Sequence, residues 1–393
     1  MMKLSNRVLE MEESVTLAAS ARAAELKAQG RDILSLTLGE PDFTTPENIQ
    51  KAAIAAIQDG KASFYTAASG LPALKDAISS YMETFYGYAV PRNQVVVATG
   101  AKFILYAAFA TLLNPGDEVI IPTPCWVSYV DQVKMVDGVP VTFQTTEAND
   151  FKATVEQLEA ARTEKTKLIL LNSPSNPTGM IYSREELEAI GAWALEHDIL
   201  ILADDIYGRL VYNGHEFTAI SSLSDALRKQ TIVVNGVSKT YAMTGWRVGF
   251  AVGEPEIIAG MAKIISQTTS NLTAVSQYAA IEALTGDQSS IETMRQAFEE
   301  RLNTIYPLLA EIPGFEVIKP QGAFYLFPNV KKAMEMKGFT DVTDFTNALL
   351  EEAEVALVTG AGFGAPENIR LSYASDMDTL KEAVRRIKAY MEA

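Results

Sequence analysis

The pattern of apolar and polar positions from about residue 95 onward predicts alternating strands and helices. Helix-like stretches at 101–113, 154–162 and 183–197 separate several short runs rich in β-branched residues, and Ser183 with Glu186 forms a capping box at one helix start. The runs that predict strands are QVVVAT (94–99), DEVIIP (117–122), VPVTF (139–143), KLILLN (167–172), DILILADD (198–205), QTIVVNG (230–236) and RVGFAVG (247–253). This alternation is typical of an α/β fold whose mainly parallel sheet, here of seven strands, lies between helices.

The pattern changes after about residue 285. It predicts a long amphipathic helix at 287–311, strands around 315–318 and 323–327, a helix at 341–353, strands near 355–358 and 369–373, and a closing helix. We therefore expect a large α/β domain over 46–285 and a smaller α+β domain. The smaller domain is built from the N-terminal segment, 1–45, and from 286–393.

Charge and apolar runs restrict the classes of partner. The chain has 33 Lys and Arg against 49 Asp and Glu, a net charge of −16, which disfavours binding to nucleic acid or to an anionic membrane surface. Acidic residues stand near the start where a signal peptide needs an apolar stretch, and no later apolar run approaches the roughly 18 residues that span a bilayer. We expect a cytoplasmic protein.

Metal and nicotinamide sites are poorly supported. Cys125 is the single cysteine and His197 and His215 are the only histidines, so no metal site is predicted and imidazole catalysis is not favoured. The segment TGAGFGA (359–365) contains a loose glycine pattern, but Pro366 and a new strand follow where a dinucleotide fingerprint requires a helix. We interpret this segment as a turn.

Two turns after predicted strands carry groups that suit a phosphorylated aromatic ligand. In VVVATGAKFILYAAF, a strand runs through Gly100, Ala101 and Lys102 directly into a helix, whose free N–H groups could hold a phosphate. In LLNSPSNPTGMIY, Asn176 follows a buried-looking strand and could donate to a phenolate oxygen. Each is also ordinary turn chemistry when taken alone.

Two further segments supply an acid and an amine. In LADDIYGRLVY, Asp204 ends an apolar strand where it could keep a ring nitrogen protonated, and the hydroxyl of Tyr207 could donate to a ring oxygen. In IVVNGVSKTYAMTGWRVG, Lys239 follows a strand beside Ser238, with Arg247 eight residues later. A partly desolvated lysine near cations can attack an aldehyde, and Ser with Arg suits a phosphate dianion.

These groups together meet the requirements of pyridoxal phosphate. The spaced motifs also resemble the class I aminotransferases among the fold-type I pyridoxal-phosphate enzymes, and in particular the bacterial aspartate aminotransferase subgroup. The motifs are LGEPDF (38–43), NPTG (176–179), DDIY (204–207), SKTYAMTGWRVG (238–249), GAFYLF (322–327) and NIRLSYA (368–374). The resemblance extends from about residue 30 to the C-terminus. The sequence has Asp205 where the family often has Glu.

The resemblance implies a role for each cofactor-binding residue. Lys239 would bind the cofactor covalently and carry the proton between substrate and cofactor, and Asp204 would pair with the ring nitrogen. Tyr207 and Asn176 would hydrogen-bond the ring phenolate oxygen, and Trp126 would stack on the ring. The phosphate would be held by Ser238, Arg247, the backbone of Gly100, Ala101 and Lys102, and Tyr65 from the second subunit of a homodimer.

The resemblance also implies amino acid and 2-oxo acid substrates. Arg370 would bind the α-carboxylate through a planar fork, and Gly39 would let backbone approach the substrate beside Trp126 and Asn176. Lys102 and Thr16 resemble the pair that binds the distal carboxylate in the bacterial subgroup. We therefore predict transfer of an amino group between L-aspartate and 2-oxoglutarate.

Other activities remain open on the sequence. Within the fold they are an aminotransferase preferring aromatic or aliphatic amino acids, a β-lyase and an aminocyclopropanecarboxylate synthase. A NAD-dependent oxidoreductase of doubly wound fold is a different class. A transcription regulator with an aminotransferase-like domain would need a DNA-binding domain before LGEPDF, which begins at residue 38. The cofactor absorbance spectrum separates the pyridoxal and nicotinamide alternatives.

Overall fold

The computed structural model describes residues 4–9, 11 and 14–393. Its strands are β1 (Leu34–Ser35), β2 (Val95–Thr99), β3 (Glu118–Thr123), β4 (Val139–Gln144), β5 (Thr166–Asn172), β6 (Leu200–Asp204), β7 (Thr231–Gly236), β8 (Val248–Val252), β9 (Tyr325–Leu326), β10 (Val355–Ala356), β11 (Val358–Thr359) and β12 (Ile369–Ser372). Its helices are α1 (Asn6–Leu9), α2 (Val15–Ala28), α3 (Glu47–Gln58), α4 (Pro72–Tyr86), α5 (Ala101–Leu112), α6 (Ser128–Met135), α7 (Val155–Ala161), α8 (Arg184–Glu196), α9 (Asp225–Gln230), α10 (Pro255–Thr268), α11 (Ala274–Thr285), α12 (Ser289–Ala310), α13 (Lys331–Lys337), α14 (Val342–Glu352) and α15 (Met377–Glu392).

Seven strands form one large sheet, which confirms the predicted fold class. Their order is β2-β8-β7-β6-β5-β3-β4. Only β8 runs antiparallel, to β2 on one side and β7 on the other. All seven strands lie where the β-branched runs predict them. The predicted capping box is also present, since the Ser183 hydroxyl accepts from the backbone N–H of Glu186.

Helices cover both faces of this sheet. Alternate side chains of β2 point to opposite faces, as the pleat of a strand requires. Val95 and Val97 pack in a cluster with α4 and α11, whereas Val96 and Ala98 pack with α5 and α10. Because both faces are buried, the strands read as continuous apolar runs, and the polar residues that follow them stand out.

The C-terminal part contains a smaller sheet. Strands β11, β12 and β9 are antiparallel, and β1 from the N-terminal part pairs with β10 in parallel. A third large apolar cluster joins α12, α14 and α15 to this part. The division of the chain at residues 45 and 285 stays a prediction. Among the described residues, no helix combines the length and the apolar character needed to cross a bilayer.

The strand predicted around 315–318 is wrong. Only Glu316 pairs there, in an isolated antiparallel bridge to Asn329. The next hydrogen-bonded pair of such a ladder would be Ile318 with Phe327, but no backbone hydrogen bond joins these residues, and the Phe327 oxygen accepts from the side-chain amide of Asn368 at 3.3 Å. The predicted strand at 323–327 is present but short, as β9.

Candidate active site

A cavity of about 290 Å³ opens where β2, β5, β6 and β7 end. Ligands bind at this edge in open α/β sheets, because the carboxyl ends of parallel strands and the loops after them meet there. The cavity brings together all the predicted site residues except Gly100 and Tyr65. They are Thr16, Gly39, Ala101, Lys102, Trp126, Asn176, Asp204, Tyr207, Ser238, Lys239, Arg247 and Arg370.

Lys239 projects into this cavity from the turn after β7. Its Nζ donates to the backbone oxygen of Gly39. Burial lowers the pKa of Lys239 to about 8. Glu40 gives the largest opposing effect, Arg247 and Arg370 act in the same direction as burial, and Asp204 opposes them least. About a tenth of this amine is therefore unprotonated at pH 7, far more than for a lysine with the ordinary pKa of 10.5, and the unprotonated amine is the nucleophile toward an aldehyde.

Asp204 ends β6 and is 3 % exposed. One carboxylate oxygen accepts from the Tyr129 hydroxyl at 2.7 Å and the other from the backbone N–H of Ile206 at 3.3 Å. Burial raises the pKa of Asp204 to about 6, although these two hydrogen bonds and Lys239 oppose the shift. A buried acid of this kind is stabilised by a cationic partner, and a protonated ring nitrogen is one.

Asp205 does not belong to the cavity. It follows Asp204 directly, but its carboxylate accepts from the Tyr86 hydroxyl at 3.0 Å. Tyr86 belongs to the apolar cluster of α4 and α11, on the other side of the sheet from α5. Burial raises the pKa of Asp205 well above the usual carboxyl value. Asp205, where the family often has Glu, is thus separated from the cavity by the sheet.

The start of α5 forms a cup that fits a phosphate group. Gly100 is the N-terminal cap of α5, with φ +82° and no side chain capping the first turn. A Cβ at Gly100 would lie 2.3 Å from an Nη atom of Arg247, so a larger residue would displace the guanidinium. Uncapped N–H groups and an adjacent arginine are what an anion requires. Ser238, which is 6 % exposed, lines the same cavity.

Arg370 is the largest fully buried side chain of the described residues. Its Nη1 donates to Asn176 Oδ1 at 2.9 Å and its Nη2 to the backbone oxygen of Thr37 at 2.7 Å. Its Nε is buried without a hydrogen-bond partner. Since a buried N–H without a partner costs free energy, a bound carboxylate that accepts from Arg370 would stabilise this arrangement.

Lys102 and Thr16 line the same cavity as Arg370. The Nζ of Lys102 lies 4.7 Å from the centre of the Trp126 ring, a cation–π distance. Desolvation lowers the pKa of Lys102, and the charge of Arg247 adds to this shift. The hydroxyl of Thr16 is buried without a hydrogen-bond partner. A cation and an unused hydroxyl are thus available to a second polar group of a ligand.

Tyr65 does not reach the cavity of its own chain. Its side chain is 91 % exposed, and Phe64 beside it is 77 % exposed. The predicted contact to the phosphate therefore requires a second subunit. Cys125 is buried, and burial raises the pKa of its thiol to about 12, so it is an unreactive thiol at neutral pH.

The cavity also contains two tyrosines, Tyr129 and Tyr325, to which the sequence assigns no role. Tyr129 holds Asp204, and the Tyr325 hydroxyl lies 2.8 Å from that of Tyr207. Tyr325 is part of the motif GAFYLF, and Tyr129 lies three positions after Trp126. Neither signal indicates which polar group the tyrosine binds.

Comparisons with known proteins agree with this geometry. Residues 31–387 match the family "Aminotransferase class I and II". An asparagine–oxo-acid transaminase from Streptococcus mutans is 76% identical, with 100% of both chains covered. An aspartate aminotransferase from Geobacillus stearothermophilus is 53% identical, with 100% of both chains covered. The solved structure of Thermus thermophilus aspartate aminotransferase with maleate has a TM-score of 0.94 at 37% identity, covering 99% of this chain and 100% of that chain.

The family match covers most of the chain, and the residues of the cavity fit the cofactor. The acid, the amine and the phosphate cup lie together at one edge of the sheet. The chain belongs to the class I and II aminotransferase family and is a pyridoxal-phosphate-dependent transaminase.

Proposed function

We propose that this transaminase exchanges the amino group between L-aspartate and 2-oxoglutarate, with oxaloacetate and L-glutamate as products. The observation that carries this proposal is the set of groups in one cavity: Arg370 with an unused Nε, Lys102, and the unused hydroxyl of Thr16. Arg370 would bind one carboxylate of a dicarboxylate substrate, and Lys102 would bind the other. A substrate with an apolar side chain would leave Lys102 and Thr16 without a partner.

When bound, pyridoxal phosphate supplies a ring that takes up the electron pair released at the substrate Cα. Lys239 would bind the cofactor carbonyl carbon and, once displaced by substrate, would move the proton between Cα and that carbon. Asp204, held by Tyr129, would keep a proton on the ring nitrogen. Tyr207 and Asn176 would donate to the ring oxygen, and Trp126 would stack on the ring.

Phosphate binding would fix the cofactor in place. Ser238, Arg247 and the uncapped N–H groups of Ala101 and Lys102 would hold the phosphate at the start of α5, where the helix dipole also favours an anion. Gly100 permits the close approach of Arg247.

The substrate would be held at its α-carboxylate by Arg370 and at its distal group by Lys102 and Thr16. Gly39, whose backbone oxygen accepts from Lys239, would lie against the substrate. The interactions that would hold the distal group are what separate this proposal from a preference for aromatic or aliphatic amino acids.

The proposed enzyme is a homodimer of the cytoplasm with shared active sites. The exposed pair Phe64 and Tyr65 supports this, because aromatic side chains that are 77 % and 91 % exposed are costly to leave in water. Tyr65 of each subunit would complete the phosphate cup of the other. Two-fold symmetry is the commonest arrangement of soluble oligomers.

A second candidate substrate is L-asparagine. The 76% identical relative from Streptococcus mutans bears the name asparagine–oxo-acid transaminase. A side-chain amide has both an acceptor oxygen and two N–H donors. Lys102 could donate to that oxygen while the unused hydroxyl of Thr16 accepts from the N–H group, so the same two residues would suit an amide.

The test is a comparison of kcat/KM for L-aspartate, L-asparagine, L-alanine and L-phenylalanine, with 2-oxoglutarate as acceptor. We expect the highest kcat/KM for aspartate and low values for alanine and phenylalanine. A highest kcat/KM for asparagine would favour the second candidate. A highest kcat/KM for phenylalanine would refute both, and release of ammonia without formation of L-glutamate from 2-oxoglutarate would indicate a lyase.

A further inference from the structure

Tyr325 and Tyr207 form a buried hydroxyl pair at the wall of the cavity. Their oxygens are 2.8 Å apart, and the side chains are 1 % and 4 % exposed. Tyr325 lies on β9 in the C-terminal part, whereas Tyr207 follows β6 of the large sheet. Their rings meet nearly edge to face, at 82° with centres 5.8 Å apart. The two hydroxyls are therefore held in place by packing.

The direction of this hydrogen bond follows from counting protons. A phenol has one proton to donate and two lone pairs that accept. If Tyr207 donates its proton to the phenolate oxygen of the cofactor ring, it has none left for Tyr325. The bond between the two tyrosines then persists only with Tyr325 as the donor.

We propose that Tyr325 is a positioning residue whose hydroxyl donates to the Tyr207 oxygen in the loaded enzyme and thereby directs the Tyr207 proton to the cofactor ring oxygen. This inference rests on the proposed function, because it takes Tyr207 as a donor to the ring. Consecutive hydrogen bonds polarise one another, so the bond from Tyr325 makes Tyr207 a stronger donor.

The ring of Tyr325 has a separate contact. Its face lies 4.6 Å from the guanidinium carbon of Arg370, a cation–π distance. Replacement of Tyr325 by phenylalanine removes the hydroxyl and keeps this ring. The substitution therefore tests the hydrogen bond without removing the support of Arg370.

The experiment is a pH titration of the cofactor absorbance in the holoenzyme, which reports protonation of the nitrogen that joins Lys239 to the cofactor. The variants are Tyr325→Phe, Tyr207→Phe and the double variant. Donation to the ring oxygen stabilises the unprotonated form, so weakening it raises the midpoint. We expect Tyr207→Phe to raise the midpoint most and Tyr325→Phe to raise it by roughly 0.1–0.7 pH unit, from a 10–30% loss in one charge-assisted bond.

The double variant separates an action through Tyr207 from a direct one. If Tyr325 acts through Tyr207, Tyr325→Phe has no further effect when Tyr207 is already phenylalanine. Tyr373→Phe is the matched control, because Tyr373 is fully buried and its hydroxyl donates to the backbone oxygen of Ala323 outside the cavity. This control should leave the midpoint unchanged.

The outcomes distinguish this inference from the proposed function. An unchanged or lowered midpoint in Tyr325→Phe, together with a raised one in Tyr207→Phe, overturns the inference and leaves the role of Tyr207 intact. An additive shift in the double variant overturns it as well. If Tyr207→Phe itself leaves the midpoint unchanged, the proposed contact of Tyr207 to the ring fails, and the inference fails with it.

Discussion

Arg370 donates through Nη1 to the side-chain oxygen of Asn176 at 2.9 Å, so the proposed substrate residue and a proposed cofactor residue share one hydrogen bond. Because Asn176 uses its oxygen for Arg370, its amide N–H group remains available for the ring oxygen. One side chain thus links the binding of the α-carboxylate to the binding of the cofactor.

Asn176→Ala should impair both functions at once. The buried guanidinium loses a hydrogen-bond acceptor and the ring oxygen loses a donor, each worth about 1–3 kcal/mol, or about 5- to 150-fold. We expect a higher KM for the amino acid and a higher dissociation constant for the cofactor, measured separately by kinetics and by cofactor titration. Asn303→Ala, which removes an exposed amide bonded to Asn213, is the control. An effect on only one of the two constants would contradict the link.

Lys239→Ala should keep the fold and lose the covalent attachment of the cofactor. We expect unchanged circular dichroism, loss of nearly all turnover, and no cofactor fixed to the protein by borohydride, because the amine that forms the reducible bond is missing. Mass spectrometry of the borohydride-treated protein measures this. Cofactor still fixed to the variant would show that another lysine is the attachment site.

The lowered pKa of Lys239 predicts how fast the cofactor attaches to protein from which it has been removed. Only the unprotonated amine attacks, so the second-order rate constant should rise about tenfold per pH unit below about 8 and then level off. Stopped-flow absorbance between about pH 6.5 and 9.5 stays above the phosphate ionisation near 6. A rise that continues toward the ordinary lysine value of 10.5 would show that burial does not act on this amine as proposed.

Lys102→Ala tests the distal contact. Loss of a charge-assisted hydrogen bond should lower kcat/KM for aspartate, which corresponds to an activation free energy higher by roughly 1.5–3 kcal/mol. The kcat/KM values for alanine and phenylalanine should stay nearly unchanged. The control is Lys27→Ala, on the exposed side of α2. Equal losses for all three substrates would indicate that Lys102 acts on the cofactor or the fold, and the dicarboxylate proposal would then lose its support.

Mixed dimers test whether Tyr65 serves the partner subunit. We expect Lys239→Ala and Tyr65→Ala chains to have little activity separately and to regain part of it when mixed, because one of the two sites in the hybrid receives an intact lysine and an intact tyrosine. Arg370→Ala mixed with Lys239→Ala is the control, since both residues belong to the same cavity and the hybrid has no complete site. No recovery with Tyr65→Ala would place this tyrosine outside the partner's site.

Much of this organisation could be predicted from the sequence for a physical reason. A sheet buried on both faces leaves continuous apolar runs, so the polar residues that follow them, such as Asp204 and Lys239, are conspicuous and meet at one edge. The distant motifs around Gly39 and Arg370 were placed in the site only through the family resemblance, because the sequence pattern does not indicate which loops close over the sheet.

The supporting tyrosines could not be predicted in this way. Tyr129 lies 75 positions from Asp204, and Tyr325 lies 118 positions from Tyr207. Each bond depends on how a helix or a short strand packs, which local propensity does not determine. The wrong strand at 315–318 has the same origin, since whether an apolar run forms a ladder depends on a partner segment.

Asp204 and Asp205 are chemically the same group, and only the alternation of β6 makes one of them face the cavity while the other bonds to Tyr86. Inserting or deleting a single residue within β6 would shift both acids by one position and so to the opposite face. A deletion would bring Asp205 to the cavity and put Asp204 in the place of Ala203, inside an apolar cluster. An insertion would put Asp204 in the place of Asp205 and leave the cavity without this acid. We therefore expect the length of β6 to be more strictly constrained than its composition. The strand should tolerate apolar substitutions but not a change of one residue in its length.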